Sequence, residues 1–377
     1  MAKLIVSIFF SLIVFVAVPA MAQDTTAKQA IVIDYDTGFV LYEKNAEEKM
    51  APSSMTKVMT TYLAFDALDQ GRITLDQTFH ISEHAWKTQG SRMFVQVGTD
   101  VKVEDLIRGV VIQSGNDATV ALAEGLAGSE EEFVRMMNKK AQELGMTSTQ
   151  FKNSHGLDEE GHYSTARDLG ILAMHAIGDH PKYYPYHAEK EFVYDGIKQG
   201  NRNPLLYRNI GADGLKTGHT DAGGYGLIGT AKSEKGRRVV VVVNGLTSMQ
   251  ERADESASLI SWGLNAFDDV TVFKAGDIIE QAEVVLGQKA FVPLTIDKNI
   301  RIPVPISMRN DLKVDVVYKG PLVAPVKKGD VVGVVRISIP RVKDFEVPLL
   351  AADDVAEIGF FAGAFAKGML LIEGGRK

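Results

Sequence analysis

The chain has 377 residues, 45% of them hydrophobic and 24% charged, which is long enough for two folded units with real cores. Its formal net charge of −7 argues against nucleic acid as a partner. The absence of cysteine excludes a catalytic thiol, a thiolate metal site and a disulfide framework.

Residues 1–22 have the pattern of a signal peptide. Lys3 precedes an apolar run from Leu4 to Val18, Pro19 breaks that run, and residues 20–22 offer a small-residue cleavage site. The run is short for a membrane-spanning helix, and an uncleaved anchor is the alternative. The pattern predicts export, so we expect the mature protein to work outside the cytoplasm, where ATP and nicotinamide cofactors are scarce.

Residues 23–268 mix strand and helix signals, which predicts an α+β domain. Three of the helical stretches stop near Gly115, Gly128 and Gly145. The predicted strands are Ala30–Tyr35, Phe39–Glu43, Gly226–Lys232 and Arg238–Asn244. The predicted helices are Lys57–Leu68, Glu104–Ile112, Asp117–Leu126, Glu130–Leu144, Arg167–Ile177 and Gln250–Ala266.

Residues 269–352 have a different texture. Seven of the twelve prolines lie between Pro293 and Pro348, and short alternating runs are separated by Gly, Pro and Asp or Asn. The runs are Ala290–Ile296, Leu312–Val317 and Val331–Ile339. This pattern predicts a small all-β unit, a sandwich.

Residues 353–377 change again, with apolar residues at steps of three and four. This spacing predicts one apolar stripe on a C-terminal helix, and Lys367, Arg376 and Lys377 add positive charge. We interpret the segment as an amphipathic helix lying on a membrane surface, with packing against the β unit as the alternative. The stripe consists of Val355, Ile358, Phe361, Phe365, Met369 and Ile372.

The strongest chemical signal is the segment 52–57 (PSSMTK). Proline and serine favour a helix start, and Ser54 and Lys57 are three residues apart, so their side chains share one helix face. A serine hydroxyl becomes a good nucleophile only when a neighbour takes its proton, and a lysine can do so only when it is neutral. Burial or nearby positive charge would lower the pKa of Lys57 accordingly. The spacing alone is common, so this pair does not by itself identify an active site.

Two further motifs follow in the order known from penicillin-interacting serine enzymes. Ser114-Gly115-Asn116 lies in a glycine turn between two predicted helices, and residues 216–218 (KTG) lie just before strand-like sequence. With these motifs the chain resembles the low-molecular-mass penicillin-binding proteins, specifically the serine-type D-alanyl-D-alanine carboxypeptidases. The resemblance covers about residues 28 to 268 and includes the segments 155–157, 163–168 and 214–220.

The resemblance implies a β-lactamase/transpeptidase-like domain, with an antiparallel sheet flanked by helices and the active site at their junction. It implies that Ser54 attacks the penultimate D-alanine, that Lys57 accepts its proton, and that Ser114 relays a proton to the leaving amine. It implies no metal and no cofactor. It also implies peptidoglycan pentapeptides as substrates, β-lactams as inhibitors, and a position on the periplasmic face of the inner membrane, with a homodimer left open.

The resemblance further assigns a set of substrate-binding residues. Asn116 would bind the substrate amide and hold Lys57, and Thr217 would bind the terminal carboxylate. Lys216 would add positive charge that favours a neutral Lys57. The assigned binding set is Asn116, Lys216, Thr217, Gly218, His219 through its backbone, and Arg252, for which a solvated helix arginine is the alternative.

Three other functions are weighed against this one. A class A β-lactamase would need a deacylating glutamate, and no Glu-x-x-Leu-Asn occurs in the chain; Gly115 also replaces the aspartate of its second motif. A D,D-endopeptidase acting on crosslinks stays open, although such relatives usually lack the β unit. A non-catalytic wall-binding scaffold would have no need of a nucleophile.

Overall fold

The computed structural model describes residues 6–7, 24–339 and 342–359, which fall into two compact units. The first unit ends at Ala266, and the second begins at Phe267 and includes the two-residue strand Val6–Ser7. Apart from Val6–Ser7, the predicted signal peptide lies outside the described residues, as does the predicted C-terminal helix from residue 360 onward.

The first unit is built on one five-stranded antiparallel sheet and two small two-stranded sheets. Its strands are β1 (Gln29–Asp34), β2 (Val40–Lys44), β3 (Thr78–His80), β4 (Asp100–Lys102), β5 (Glu191–Tyr194), β6 (Ile197–Gly200), β7 (Ala212–Thr220), β8 (Gly224–Lys232) and β9 (Arg238–Leu246). The main sheet has the order β2-β1-β9-β8-β7, while β3 pairs with β4 and β5 with β6. Strand β7 is therefore an edge of the main sheet.

The described residues of this unit form seven α-helices. They are α1 (Lys57–Asp69), α2 (Glu83–Lys87), α3 (Val103–Arg108), α4 (Asn116–Ala127), α5 (Glu130–Glu143), α6 (Ala166–Gly178) and α7 (Met249–Asn265). Ser129, Thr165 and Ser248 cap α5, α6 and α7, each accepting a hydrogen bond from a backbone N–H three residues ahead. Short 3-10 turns cover Ser53–Thr56, Tyr184–Ala188 and Pro204–Tyr207, and α3 continues into a π-helical turn, Gly109–Gln113.

The central strand β9 explains why the sheet is covered on both faces. Its valines alternate, with Val239, Val241 and Val243 packing in the core that includes α7, and Val240 and Val242 in the core that includes α1 and α6. A strand buried on both faces reads as one continuous apolar run, which is what residues 239–243 are. The α+β prediction, with helices on both sides of an antiparallel sheet, is confirmed.

In its described residues, the second unit is all-β apart from one 3-10 turn, Ile306–Asp311. Its strands are β10 (Phe267–Phe273), β11 (Glu280–Val285), β12 (Phe291–Thr295), β13 (Ile300–Pro305), β14 (Lys313–Tyr318), β15 (Leu322–Val323), β16 (Val331–Ile339) and β17 (Val342–Ala351). One sheet has the order β14-β16-β17-β12-β11-β15, with Val6–Ser7 beside β14, and β10 pairs with β13 separately. The prediction of a β-sandwich unit is confirmed.

The expected start of the C-terminal helix at Asp353 is wrong. Residues 353–359 are not helical, and the backbone of Val355 exchanges two hydrogen bonds with that of Val326. The Val355 side chain is 1% exposed, so it belongs to the core of the β unit. The three-and-four spacing included Val355 by coincidence, because an apolar residue in an extended segment can fall in step with a following helical pattern.

The third motif also lies differently from the prediction. Residues 216–218 are part of edge strand β7 rather than a segment preceding a strand. Polar and small residues gave this strand little apolar character.

Among the described residues, no helix is long and apolar enough to cross a membrane.

Packing of α7 on the sheet makes a first prediction. Leu259 is fully buried between α7 and the sheet, so Leu259→Ala should lower the free energy of unfolding by about 3 kcal/mol. Met249 lies on the same helix and is 66% exposed, so Met249→Ala should change it by less than about 0.5 kcal/mol. Urea unfolding followed by tryptophan fluorescence measures both, and equal effects would contradict this description of the core.

Candidate active site

The first motif lies where the 3-10 turn Ser53–Thr56 runs into α1. Ser53 has a left-handed backbone with φ 49°, and its Oγ lies 2.9 Å from Oγ1 of Thr220 at the end of β7. This sharp entry places Ser54 at the start of the helix, partly accessible, with Lys57 one turn further on. Partial positive charge at a helix N-terminus favours a developing oxyanion there.

Lys57 is fully buried, and its amine has three neighbours. Nζ donates hydrogen bonds to Oδ1 of Asn116 at 2.7 Å and to the carbonyl oxygen of His155 at 2.6 Å. The third neighbour is Ser54, whose Oγ lies 3.0 Å from Nζ. A neutral amine has two N–H groups and one lone pair. The two carbonyl acceptors use the N–H groups, so the lone pair is left facing the Ser54 hydroxyl.

Electrostatics favour that neutral form. Burial, followed by the positive charge of Arg202, lowers the pKa of Lys57 to about 7. The carboxylates of Asp117 and Glu130 act in the opposite direction. At neutral pH, therefore, a large fraction of the Lys57 amine is able to accept a proton.

The second motif follows the π-helical turn that ends α3. Ser114 is 3% exposed and has a left-handed backbone with φ 63°, and the chain then enters α4 at Asn116. The Asn116 side chain donates from Nδ2 to the carbonyl of Gln89 at 2.6 Å, so its Oδ1 is oriented toward Lys57. An extra residue in a helical turn is frequent at functional sites, because it re-aims the side chains that follow.

The third motif packs against the first across the sheet edge. A Cβ atom added at Gly218 would lie 3.0 Å from the Pro52 carbonyl oxygen and 3.1 Å from Cβ of Ser53. Glycine at this position therefore lets β7 approach the nucleophile turn closely. Thr217 is buried in the same strand, and its carbonyl accepts a hydrogen bond from Lys216 Nζ at 3.0 Å.

Lys216 is itself a perturbed group. Burial first, then the charges of Lys57, Arg202 and Arg252, hold the pKa of Lys216 well below its ordinary value. Because the repulsion between Lys57 and Lys216 acts on both amines, it agrees with the expected role of Lys216, and Arg202 adds a further positive charge that lowers the pKa of Lys57. Sequence reasoning missed Arg202 because it lies outside all three motifs.

Arg252 on α7 reaches the third motif. Its Nη1 donates to the Gly218 carbonyl at 3.4 Å, its guanidinium lies 5.7 Å from the Tyr225 ring centre, and its Nε has no hydrogen-bond partner among the described residues. No carboxylate in the described part of the chain forms an ion pair with Arg252 or Lys216. The exposed His219 imidazole stacks on Tyr225 with centroids 4.0 Å apart, so it packs beside the site.

Three residues near the motifs have structural roles. Both ring nitrogens of His162 make hydrogen bonds, to Oγ1 of Thr56 and from the backbone N–H of Lys152. Asp168 accepts hydrogen bonds from Ser148 and Thr149, which braces the loop before α6. Arg167 forms ion pairs with Glu43 and Glu47.

The structure therefore brings Ser54, Lys57, Asn116 and the strand carrying residues 216–218 together, with Ser114 two residues before Asn116. The arrangement contains a nucleophile, a neutral amine beside it, and unpaired positive charge at one end. Such a site can form and hydrolyse an acyl-enzyme from a substrate that carries a carboxylate.

Comparison with known proteins agrees with this chemistry. A family model for D-alanyl-D-alanine carboxypeptidase matches residues 16–247, and a model for the C-terminal domain of penicillin-binding protein 5 matches residues 267–357. The D-alanyl-D-alanine carboxypeptidase DacC of Escherichia coli is 40% identical over 348 residues, which covers 90% of this chain and 87% of that protein.

Solved structures give the same assignment. Penicillin binding protein 5 from Haemophilus influenzae matches with a TM-score of 0.79 at 38% identity, covering 90% of this chain and 100% of that one. Penicillin-binding protein D2 of Listeria monocytogenes, in its ampicillin-bound form, matches with a TM-score of 0.59 at 31% identity, covering 64% and 98%. By both family match and shared architecture, this chain belongs to the serine-type D-alanyl-D-alanine carboxypeptidases.

Proposed function

We propose that the reaction proceeds through an acyl-enzyme on Ser54, with Lys57 as its base. Ser54 Oγ attacks the carbonyl of the penultimate D-alanine of a peptidoglycan pentapeptide while Lys57 Nζ takes the hydroxyl proton. The tetrahedral intermediate then expels the terminal D-alanine, and water hydrolyses the ester to leave a tetrapeptide. The observation that carries this proposal is the position of Lys57 Nζ, which lies 3.0 Å from Ser54 Oγ and has the carbonyl oxygens of Asn116 and His155 as its other two partners.

The leaving group needs a proton, and Ser114 is the residue we assign to relay it. Ser114 is buried at the start of α4, two residues before the asparagine that binds Lys57. A hydroxyl both donates and accepts, so it can pass the proton held by Lys57 to the D-alanine amine. The backbone amides of Ser54 and His219 are proposed as the oxyanion hole, where one donor typically lowers the barrier by about 3 kcal/mol.

Positive charge without a partner supports recognition of a free carboxylate. Lys216 and Arg252 are buried without an acidic partner in the described part of the chain, and burial first, then the charge of Arg202 among others, lowers the pKa of both. A bound carboxylate would supply the missing counter-charge and a partner for Nε of Arg252. We assign this end of the site to the substrate's terminal carboxylate, together with Thr217 and Gly218.

The buried positive charge without an acidic partner also bears on the two alternative functions, a D,D-endopeptidase and a non-catalytic scaffold. A crosslink-cleaving endopeptidase also acts on a D-alanyl bond, but a site with unpaired cations favours a small C-terminal carboxylate. A scaffold protein would need neither the neutral lysine nor a solvent-accessible nucleophile. Penicillins carry a carboxylate beside a reactive carbonyl, which is why the same site binds them.

Localisation follows from the cell-wall substrate. Proteins of this kind act on the wall, and the N-terminal pattern of residues 1–22 supports export to the periplasm. We further propose that residues 360–377 hold the protein on the inner membrane, because Phe361, Phe365, Met369 and Ile372 repeat at steps of three and four. We divide the chain functionally into the catalytic domain to residue 266, the β unit from residue 267 to about residue 359, and the anchor beyond it.

Replacing the nucleophile tests the reaction. Ser54→Ala should abolish release of D-alanine from a defined pentapeptide and covalent labelling by a fluorescent penicillin. Ser233 lies in the turn between β8 and β9, outside the three motifs, so Ser233→Ala should leave D-alanine release and penicillin labelling unchanged. Analysis of products from the pentapeptide and from a defined crosslinked dimer separates carboxypeptidase from endopeptidase. Wild-type protein that takes no label and releases no D-alanine would overturn the proposed function.

The acid limb of the pH profile tests the base. Since only neutral Lys57 accepts a proton and its pKa is about 7, the rate of penicillin acylation should rise with pH through about 7. Below that value the rate should fall about tenfold per pH unit. Lys57→Arg, which stays charged, should acylate at least about 100-fold more slowly at every pH. A wild-type profile that is flat from pH 5 to 8 would exclude Lys57 as the base.

Truncation tests the anchor. A chain ending at Gly359 retains Val355 in the β unit, so the catalytic and β units should stay folded. This truncated protein should move from the membrane to the soluble periplasmic fraction while it keeps its activity on the pentapeptide. Unchanged fractionation would contradict membrane attachment through residues 360–377.

A further inference from the structure

The carbonyl that binds Lys57 belongs to a short loop, residues 152–157, which we call the His155 loop. On its inner side, the loop packs directly beneath the nucleophile turn: a Cβ atom at Gly156 would lie 1.9 Å from the Ser53 carbonyl oxygen. Oγ1 of Thr60 donates to the Ser154 carbonyl at 2.7 Å, one residue before the carbonyl that accepts from Lys57. Any shift of this loop therefore moves an acceptor of the catalytic amine.

On its outer side, the loop is attached to α5 by the carboxylate of Glu130, the first residue of that helix, while Oε2 of Glu159 accepts from Nδ2 of Asn153 at 3.0 Å. Oε1 of Glu130 accepts from both the backbone N–H of Ser154 at 2.9 Å and the Ser154 hydroxyl at 2.6 Å. The Glu130 side chain is only 12% exposed. Burial works against its charge, but the bonds from Ser154, and then His84 and His155, prevail and lower the pKa of Glu130.

Other charged groups surround Glu130. From α2, Nε2 of His84 lies 3.0 Å from Oε2, and from the loop, Nε2 of His155 lies 3.7 Å from Oε1. Nδ1 of His155 accepts from the Leu157 backbone N–H, so in the neutral ring the proton resides on Nε2 and faces Glu130. The cavity beside Glu130 has a volume of about 360 Å³ and is lined additionally by Glu131, Lys152, Asp158 and Glu159.

We infer that Glu130 is a positioning residue for the carboxypeptidase reaction. It fixes the His155 loop from outside, so that the His155 carbonyl orients Lys57, and its own negative charge acts on the charge state of Lys57. This inference rests on Lys57 being the base, as proposed above.

Two effects of Glu130 can be separated. One is mechanical, because two hydrogen bonds to Ser154 hold the backbone that supports the His155 carbonyl. The other is electrostatic, because the Glu130 charge raises the pKa of Lys57 against the effects of burial and of Arg202. A residue that only stabilised the fold would affect neither the orientation of Lys57 nor the acid limb of the pH profile.

The experiment compares full-length protein with Glu130→Gln, Glu130→Ala and the matched control Glu131→Gln. Glu131 is the next residue of α5, is exposed, and lines the same cavity, so its replacement removes the same charge without touching Ser154. The rate of penicillin acylation and D-alanine release from a pentapeptide are measured from pH 5 to 9. Thermal unfolding confirms that each variant is folded.

Glu130→Gln keeps an acceptor oxygen for Ser154 and loses the charge, so the acid limb should move about 0.5 unit to lower pH. Glu130→Ala loses both, so its plateau rate should also fall about tenfold. Glu131→Gln should match the wild type in plateau and in acid limb.

Two results would overturn the inference while leaving the proposed function intact. One is a Glu130→Gln profile whose acid limb coincides with that of the wild type. The other is a Glu131→Gln limb that moves as far as that of Glu130→Gln. If Glu130→Ala does not fold, the position of the acid limb in the pH profile of Glu130→Gln tests the inference by itself. An unlabelled and inactive wild type would instead overturn the proposed function, and this inference with it.

Discussion

The active site depends on keeping one buried amine uncharged and correctly turned. A buried ammonium is costly unless a carboxylate pairs with it, but a carboxylate would also hold its proton. The structure gives Lys57 two neutral carbonyl acceptors instead, from Asn116 and His155. Each takes one N–H, which satisfies the amine as a donor and leaves its basic electron pair on the side of Ser54.

The acidic residue next to Asn116 shows how a carboxylate can lie near Lys57 without pairing with it. Asp117 follows Asn116 directly and is fully buried. Its carboxylate accepts hydrogen bonds from the backbone N–H groups of Met93, Phe94 and Val95. The charge is thus used to hold a loop, and it reaches Lys57 only as a long-range interaction opposed by Arg202. Because its oxygens are occupied by backbone donors, this carboxylate lies near the site without pairing with Lys57 and holding it in the charged form.

The sequence was most informative where local pattern and chemistry coincide. Ser54 and Lys57 share a helix face, and the valine run of β9 can only be a buried strand, so both were predictable. The strand that contains Lys216 and Thr217 was missed because its residues are polar or small. Arg202 acts on Lys57 through space, and the contact from residue 155 is made by its backbone carbonyl. Neither effect depends on a sequence motif, so neither could be predicted from residue types. Val355 was placed in a helix because periodicity alone cannot tell where an extended segment ends.

The four contributing segments are far apart in the chain, which explains why no single window of sequence reveals the site. The turn before α1, the turn before α4, the His155 loop and β7 meet only because the sheet and the helices hold them in register. Gly218 and Gly156 make the closest approaches between these segments. Backbone-to-backbone proximity of this kind depends on having no side chain, and it leaves little trace in composition.

The position of β7 at the sheet edge has a consequence for how the enzyme can recognise a peptide substrate. Within the described residues, β8 pairs with one side of β7 and no strand pairs with the other. An extended peptide laid along that open side would complete a sixth strand, with its main-chain amides matched to those of β7. Recognition would then depend on the backbone and its chirality more than on side chains. An enzyme built in this way would tolerate variation along the stem peptide while remaining strict about the D-configured end that enters the site.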